Sequence, residues 1–136
     1  NKLYYKKMRQ FLPLILILNL FSISAFAATP KNHKFYEKDY QNYWCSANGG
    51  VTEVILPDKA RVDCVTKTHA VEFDFAKKWA ESIGQSLYYG EQLHKKAGIV
   101  LISENGQSDE KYIKRVKSVA NYHNIDLWII TPEQMK

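Results

Sequence analysis

Three carboxylates lie close together in the stretch Asp63, Glu72 and Asp74, set among apolar residues in RVDCV and HAVEFDF. Side chains alternate between the two faces of a strand, so Asp63 points away from Val62 and Cys64. Glu72 and Asp74 likewise share a face opposite Val71, Phe73 and Phe75. If two such strands pair with Asp63 and Glu72 on one face, like charges crowd together. A hard divalent cation with oxygen ligands relieves that crowding. The competing reading is the solvated polar face of a half-exposed sheet.

The elements needed to position these residues are legible on either side of them. The strands are expected at Ala60 to Thr66 and His69 to Phe75, preceded by one at Val51 to Leu56 that carries Glu53. From Ala76 the apolar period changes to that of a helix, with Ala76, Ala80, Ile83 and Leu87 on one stripe and Lys78, Glu81, Gln85 and Tyr89 on another, ending near Gly90 or shortly afterwards, before Lys95-Lys96. The apolar run GIVLIS from Gly98 to Ser103 predicts a strand buried on both faces. A helix from Asp109 to about His123 and a strand from Asp126 to Ile130, stopped by Thr131-Pro132, follow. Upstream, Phe35, Tyr36, Tyr40, Tyr43 and Trp44 recur at helical spacing and predict a first helix closed by Asn48-Gly49-Gly50; the aromatic stripe reads as core. The element order is α-β-β-β-α-β-α-β, an α/β domain with a mixed sheet covered on both faces.

The leading segment has a different character. Lys2, Lys6, Lys7 and Arg9 precede an apolar run from Phe11 to Phe26 that closes in Ala25-Phe26-Ala27, the pattern of a secretory signal peptide over residues 1–27, with Met8 as the start. A retained membrane anchor is the alternative, disfavoured because the run is short for a bilayer span. Residues 28–34 read as a flexible leader and 35–136 as a single domain, periplasmic or secreted, with no stable membrane association once the signal is cleaved. The chain has 19 Lys and Arg against 14 Asp and Glu. Because the four leading cations carry most of that excess, a uniform nucleic-acid-binding basic surface is not expected. Lys95-Lys96 and Lys111-Lys114-Arg115-Lys117 read as solvated helix faces or local phosphate contacts. In an exported small domain the even pair Cys45 and Cys64 reads as a disulfide, with two buried free thiols as the alternative. His33, His69, His94 and His123 show no ligand spacing, and neither a serine-hydrolase pattern nor a glycine-rich phosphate loop is present.

Element order and residues together resemble the PD-(D/E)XK, restriction-endonuclease-like nuclease superfamily, in the branch similar to Holliday-junction resolvases and RecB-like nucleases. The resemblance covers nearly all of the chain after residue 27. It rests on Glu53, then Arg61-Val62-Asp63, then Glu72-Phe73-Asp74, then Gln85-Ser86-Leu87-Tyr88-Tyr89 for the Q-x-x-x-Y motif. It implies a restriction-endonuclease-like fold and hydrolysis of DNA phosphodiester bonds with Mg²⁺ or Mn²⁺. Glu53, Asp63 and Glu72 would be the metal-ligand set, and Gln85 and Tyr89 would lie near the phosphate backbone. Asp74 stands where the family has its lysine, so the positive charge must come from Lys78, with Lys77 a second candidate, unless Asp74 recruits another ion. The alternative is a catalytically inactive, disulfide-stapled interaction module on the same fold, its protein partner unknown.

Overall fold

The computed structural model describes residues 33–136. The predicted signal segment and residues 28–32 of the predicted leader lie outside the described residues. The element order is α1 (Glu37–Ala47), β1 (Val51–Ile55), β2 (Arg61–Val65), β3 (His69–Phe75), α2 (Trp79–Leu93), β4 (Lys96–Ile102), α3 (Glu110–His123) and β5 (Asp126–Ile130). The strands form one sheet in the order β1-β2-β3-β4-β5. Strands β1, β2 and β3 pair antiparallel through short turns, while β4 and β5 join in parallel after the α2 and α3 crossovers. Among the described residues the fold is therefore α/β, with a five-stranded mixed sheet and three α-helices.

Strand β4 shows how the layers are made. Its central residues are apolar without a break, and alternation sends them to opposite sides. Val100 and Ile102 join Tyr40 and Cys45 of α1, with Val71 and Phe73 of β3, in one core. Ile99 and Leu101 join Val116 and Ala120 of α3, with Trp79 and Ile83 of α2 packed against them, in a second. A third cluster, Leu56, Val62, Ala70 and Tyr89, lies towards the β1–β2 edge. Of the aromatic stripe expected to be core, Tyr40 is fully buried and Trp44 packs against the first cluster, whereas Phe35, Tyr36 and Tyr43 are exposed, because the outer face of α1 and the residues before it have no layer to pack against.

Cys45 and Cys64 are joined in a disulfide that ties α1 to β2 across a sequence separation of 19 residues. Gly50 is obligatory beside it, since a Cβ there would lie 2.6 Å from both sulfurs.

Two expectations need revision. The stretch after β3 opens with a 3-10 turn, Ala76–Lys78, and the α-helix itself starts at Trp79. Lys78 therefore ends that turn and caps α2 (φ −97°, ψ 20°) instead of lying within the helix, though it stays on the same side as Glu81, Gln85 and Tyr89. The helix α2 ends where expected, shortly after Gly90 and before Lys95, running to Leu93 and closing on His94 in the left-handed conformation. That glycine is a packing residue, because a Cβ would come 2.9 Å from the Lys95 carbonyl at the approach to β4. Finally, His33 and Lys34, assigned to the flexible leader, are fixed: His33 Nδ1 lies 2.8 Å from Glu104 Oε2, and the Lys34 N–H donates to the same carboxylate at 3.1 Å. Among the described residues no helix is long and apolar enough to cross a membrane.

Candidate functional site

Strands β2 and β3 pair closely at Cys64↔Val71 and Val65↔Ala70 and then part. Continuing that register sets Asp63 opposite Glu72, at the point where the ladder opens. The freed Phe73 N–H, which would otherwise need a ladder acceptor, donates to Asp63 Oδ2 at 2.8 Å. The opening is a cavity of about 360 Å³ whose wall includes Asp63, Glu72, Phe73 and Asp74 from the strands. Lys78, Glu81, Gln85 and Tyr89 line its α2 side, and Arg61 and Glu37 complete it. Of the residues singled out from the sequence, Asp63, Glu72, Asp74, Lys78, Gln85 and Tyr89 are brought together around this one space.

Five carboxyl side chains line this cavity against two cationic ones. Asp63, Glu72 and Asp74 are 9%, 5% and 3% exposed. Burial, followed by the charge of Asp63, pushes the Glu72 carboxyl up to about 10. Asp63 is also raised, chiefly by burial, against the pull of the Phe73 N–H and of a hydrogen bond shared with Glu72. Without a ligand the two carboxyls therefore hold one proton between them, the usual outcome for touching acids. Burial raises Asp74 to about 6, opposed by Lys78. The Lys78 ammonium is 3.8 Å from Asp74 Oδ1 and 3.6 Å from Glu81 Oε2, and the charge of Asp74 raises its own affinity for a proton. On α2 the Gln85 amide donates to the Tyr89 hydroxyl at 3.2 Å.

Glu72 carries an anomaly. Its Oε2 is buried and has no hydrogen-bond partner among the described residues. An orphaned buried carboxylate oxygen costs about 1–3 kcal/mol or more.

Glu53 is placed differently. It stands across from Asp63 with a strained backbone (φ 60°), but its carboxylate turns to Arg61 at 2.9 Å and does not line the cavity. The acid that does reach in from upstream is Glu37, at the start of α1. Burial, then the charges of Asp63 and Asp74, push it up to about 7. Gln41 donates to it at 3.4 Å and keeps a buried amide oxygen without a partner among the described residues. Sequence reasoning assigned neither residue a role. A signal was available, since Glu37, Gln41 and Cys45 are spaced four apart on one helix stripe, and Cys45 is tied to Cys64 beside Asp63.

Among the described residues no three His, Cys, Asp or Glu side chains are set as a ready coordination shell. The touching pair Asp63 and Glu72, with one oxygen lacking any partner, nevertheless fits Mg²⁺, which is commonly held by one or two carboxylates with water and phosphate oxygens completing the shell. No protein-family model, no curated protein and no solved structure matches the chain.

Proposed function

We propose that this chain is an exported, restriction-endonuclease-like nuclease of the PD-(D/E)XK kind, hydrolysing DNA phosphodiester bonds with Mg²⁺ or Mn²⁺. The observation that carries this reading is the unpartnered, buried Glu72 Oε2 in a cavity where five carboxyls face two cations. Such an arrangement is unfavourable until a cation enters, and the β2–β3 opening leaves room for one beside a phosphate. The element order and the mixed sheet covered on both faces are what the resemblance implies.

Asp63 and Glu72, with the Phe73 carbonyl, would hold the ion, and when bound it would supply an activated water and neutralise charge on the phosphate. The chain's own groups do the rest. Lys78, on the cavity wall where Asp74 has replaced the family lysine, brings positive charge towards the scissile group. Gln85 and Tyr89 offer an amide and a hydroxyl to phosphate oxygens, each already oriented by the other. Glu37, rather than Glu53, is the upstream carboxyl near the reaction centre and is the group suited to orient a water there.

A second reading is an inactive, disulfide-stapled interaction module. It is favoured by Asp74 at the position where the resemblance expects a lysine and by the lack, among the described residues, of a three-residue coordination shell.

The deciding experiment incubates the oxidised protein with single- and double-stranded DNA in Mg²⁺, Mn²⁺ or chelator. Cleavage with either metal that is abolished by chelator and by Asp63→Ala supports the nuclease. Intact DNA under every condition selects the module.

A further inference from the structure

A second cavity, of about 590 Å³, adjoins the acidic one, and Glu37 and Lys78 line both. Its size falls in the range of about 300–1,000 Å³ typical of small-ligand sites. Its chemistry differs from that of its neighbour. Phe75 and Ile102 give it an apolar wall, His33 extends that wall with an aromatic ring, and Lys77 joins Lys78 on the cationic side. The His33 and Phe75 rings are stacked, with centroids 3.6 Å apart and planes 17° from parallel.

This aromatic pair is held in place from behind. Glu104, its side chain 3% exposed, takes the His33 ring nitrogen at 2.8 Å and the Tyr40 hydroxyl at 2.7 Å. Tyr40 in turn packs edge-on against Phe75. Fixed aromatic faces next to lysines suit a planar base carrying a phosphate: the ring stacks, and the ammonium groups meet the anion.

We propose that this cavity is a nucleotide subsite, in which the base beside the scissile phosphate stacks on the His33–Phe75 pair and its phosphate meets Lys77 and Lys78. The inference rests on the nuclease reading of the acidic cavity and adds a substrate class to it. A base that stacks on protein has left its own helix, and unstacking is least costly in single strands. The substrate is therefore single-stranded DNA or a frayed end.

The test has two arms. Fluorescence anisotropy in Ca²⁺ compares a single-stranded oligodeoxynucleotide with strands carrying one abasic position, and cleavage in Mg²⁺ is mapped on the same strands and on duplex. The base-bearing single strand should bind roughly tenfold or more tightly than the abasic one. His33→Ala should erase that preference, His33→Phe should keep it, and Lys77→Gln should weaken both strands alike. Equal binding of abasic and intact strands, or a preference untouched by His33→Ala in a protein with an unchanged melting curve, overturns the subsite. Cleavage in Mg²⁺ without base preference also overturns the subsite while leaving the nuclease standing. Neither binding nor cleavage removes both.

Discussion

Glu72 and Glu104 are two glutamates whose side chains are both turned away from water and which the fold treats in opposite ways. Glu104 accepts from Tyr40, from His33 and from the Lys34 and Phe35 N–H groups. Burial works against its charge, yet these bonds together hold it below the ordinary carboxylate range. Glu72 shares a proton with Asp63, is raised to about 10 and keeps one oxygen bare. A buried carboxylate with every lone pair engaged fastens structure together, here the entry of the chain to the end of β4. One left incomplete persists only where its cost is offset, and a cation arriving from outside would offset it.

The contrast is broken most directly by activity. Asp63→Ala and Glu72→Gln should each lower metal-dependent DNA cleavage by at least about a thousandfold, near the upper end for loss of one charge-stabilising group. Asp126→Asn, at the far end of the sheet where Lys96 and His69 already satisfy the carboxylate, should leave the rate within about threefold. A quenched-fluorophore oligonucleotide assay measures all three. Equal losses at Asp63 and Asp126 would mean that the acidic end of β3 is no more than structure.

Next in size is the bridge beneath the site. Reducing Cys45–Cys64, which closes a loop across a separation of 19 residues, should cost about 3 kcal/mol in urea unfolding. Because Cys64 adjoins Asp63, reduction should also weaken cation binding, which the oxidised and reduced proteins titrated side by side would reveal. Glu104→Gln follows, at about 2 kcal/mol, because a neutral amide presents one acceptor oxygen where several donors converge. Unchanged unfolding midpoints would show that the leader is not fastened there.

Most of the fold was legible because hydrophobic period changes where element type changes. His69–Phe75 and Asp126–Ile130 carry strand alternation or an unbroken apolar run to their ends, and both are strands with those bounds. What failed depended on tertiary packing. The close approach of Gly90 to the start of β4, where a Cβ would meet the Lys95 carbonyl at 2.9 Å, has no local signature, because packing between α2 and the sheet sets it. Likewise the ring of Asp63, Glu72, Asp74, Lys78, Gln85 and Tyr89 follows from alternation and helical spacing within one contiguous stretch. Glu37 lies 26 positions before Asp63 and reaches the cavity because α1 packs on the sheet through Tyr40 and is tied to β2 by Cys45–Cys64. Its acidity reads as a solvated helix start until that bridge is drawn. Glu53, across from Asp63 in the sheet, reads as a ligand by register, yet the strained backbone and Arg61 turn it aside.

The smallest effect separates the two glutamates most sharply, because their stabilities run in opposite directions with pH. Glu104 has a depressed affinity for protons, so its contribution is present above the ordinary 4.5 and is lost as pH falls through its folded value. Glu72 is raised from 4.5 to about 10, so the folded state binds the extra proton and stability falls as pH rises across that window. In chelator, Glu72→Gln should therefore match the wild type near pH 4.5 and become progressively more stable above it, by about 1–2 kcal/mol at pH 8, since an amide needs no proton to be neutral. Glu104→Gln should show the reverse, its deficit shrinking in acid. Adding Mg²⁺ at pH 8 should raise the wild-type melting temperature and leave Glu72→Gln unmoved, because stabilisation by a ligand scales with its affinity for the folded state. Parallel pH profiles for the two variants, or a metal response that survives Glu72→Gln, would show that the bare oxygen is not where a cation binds.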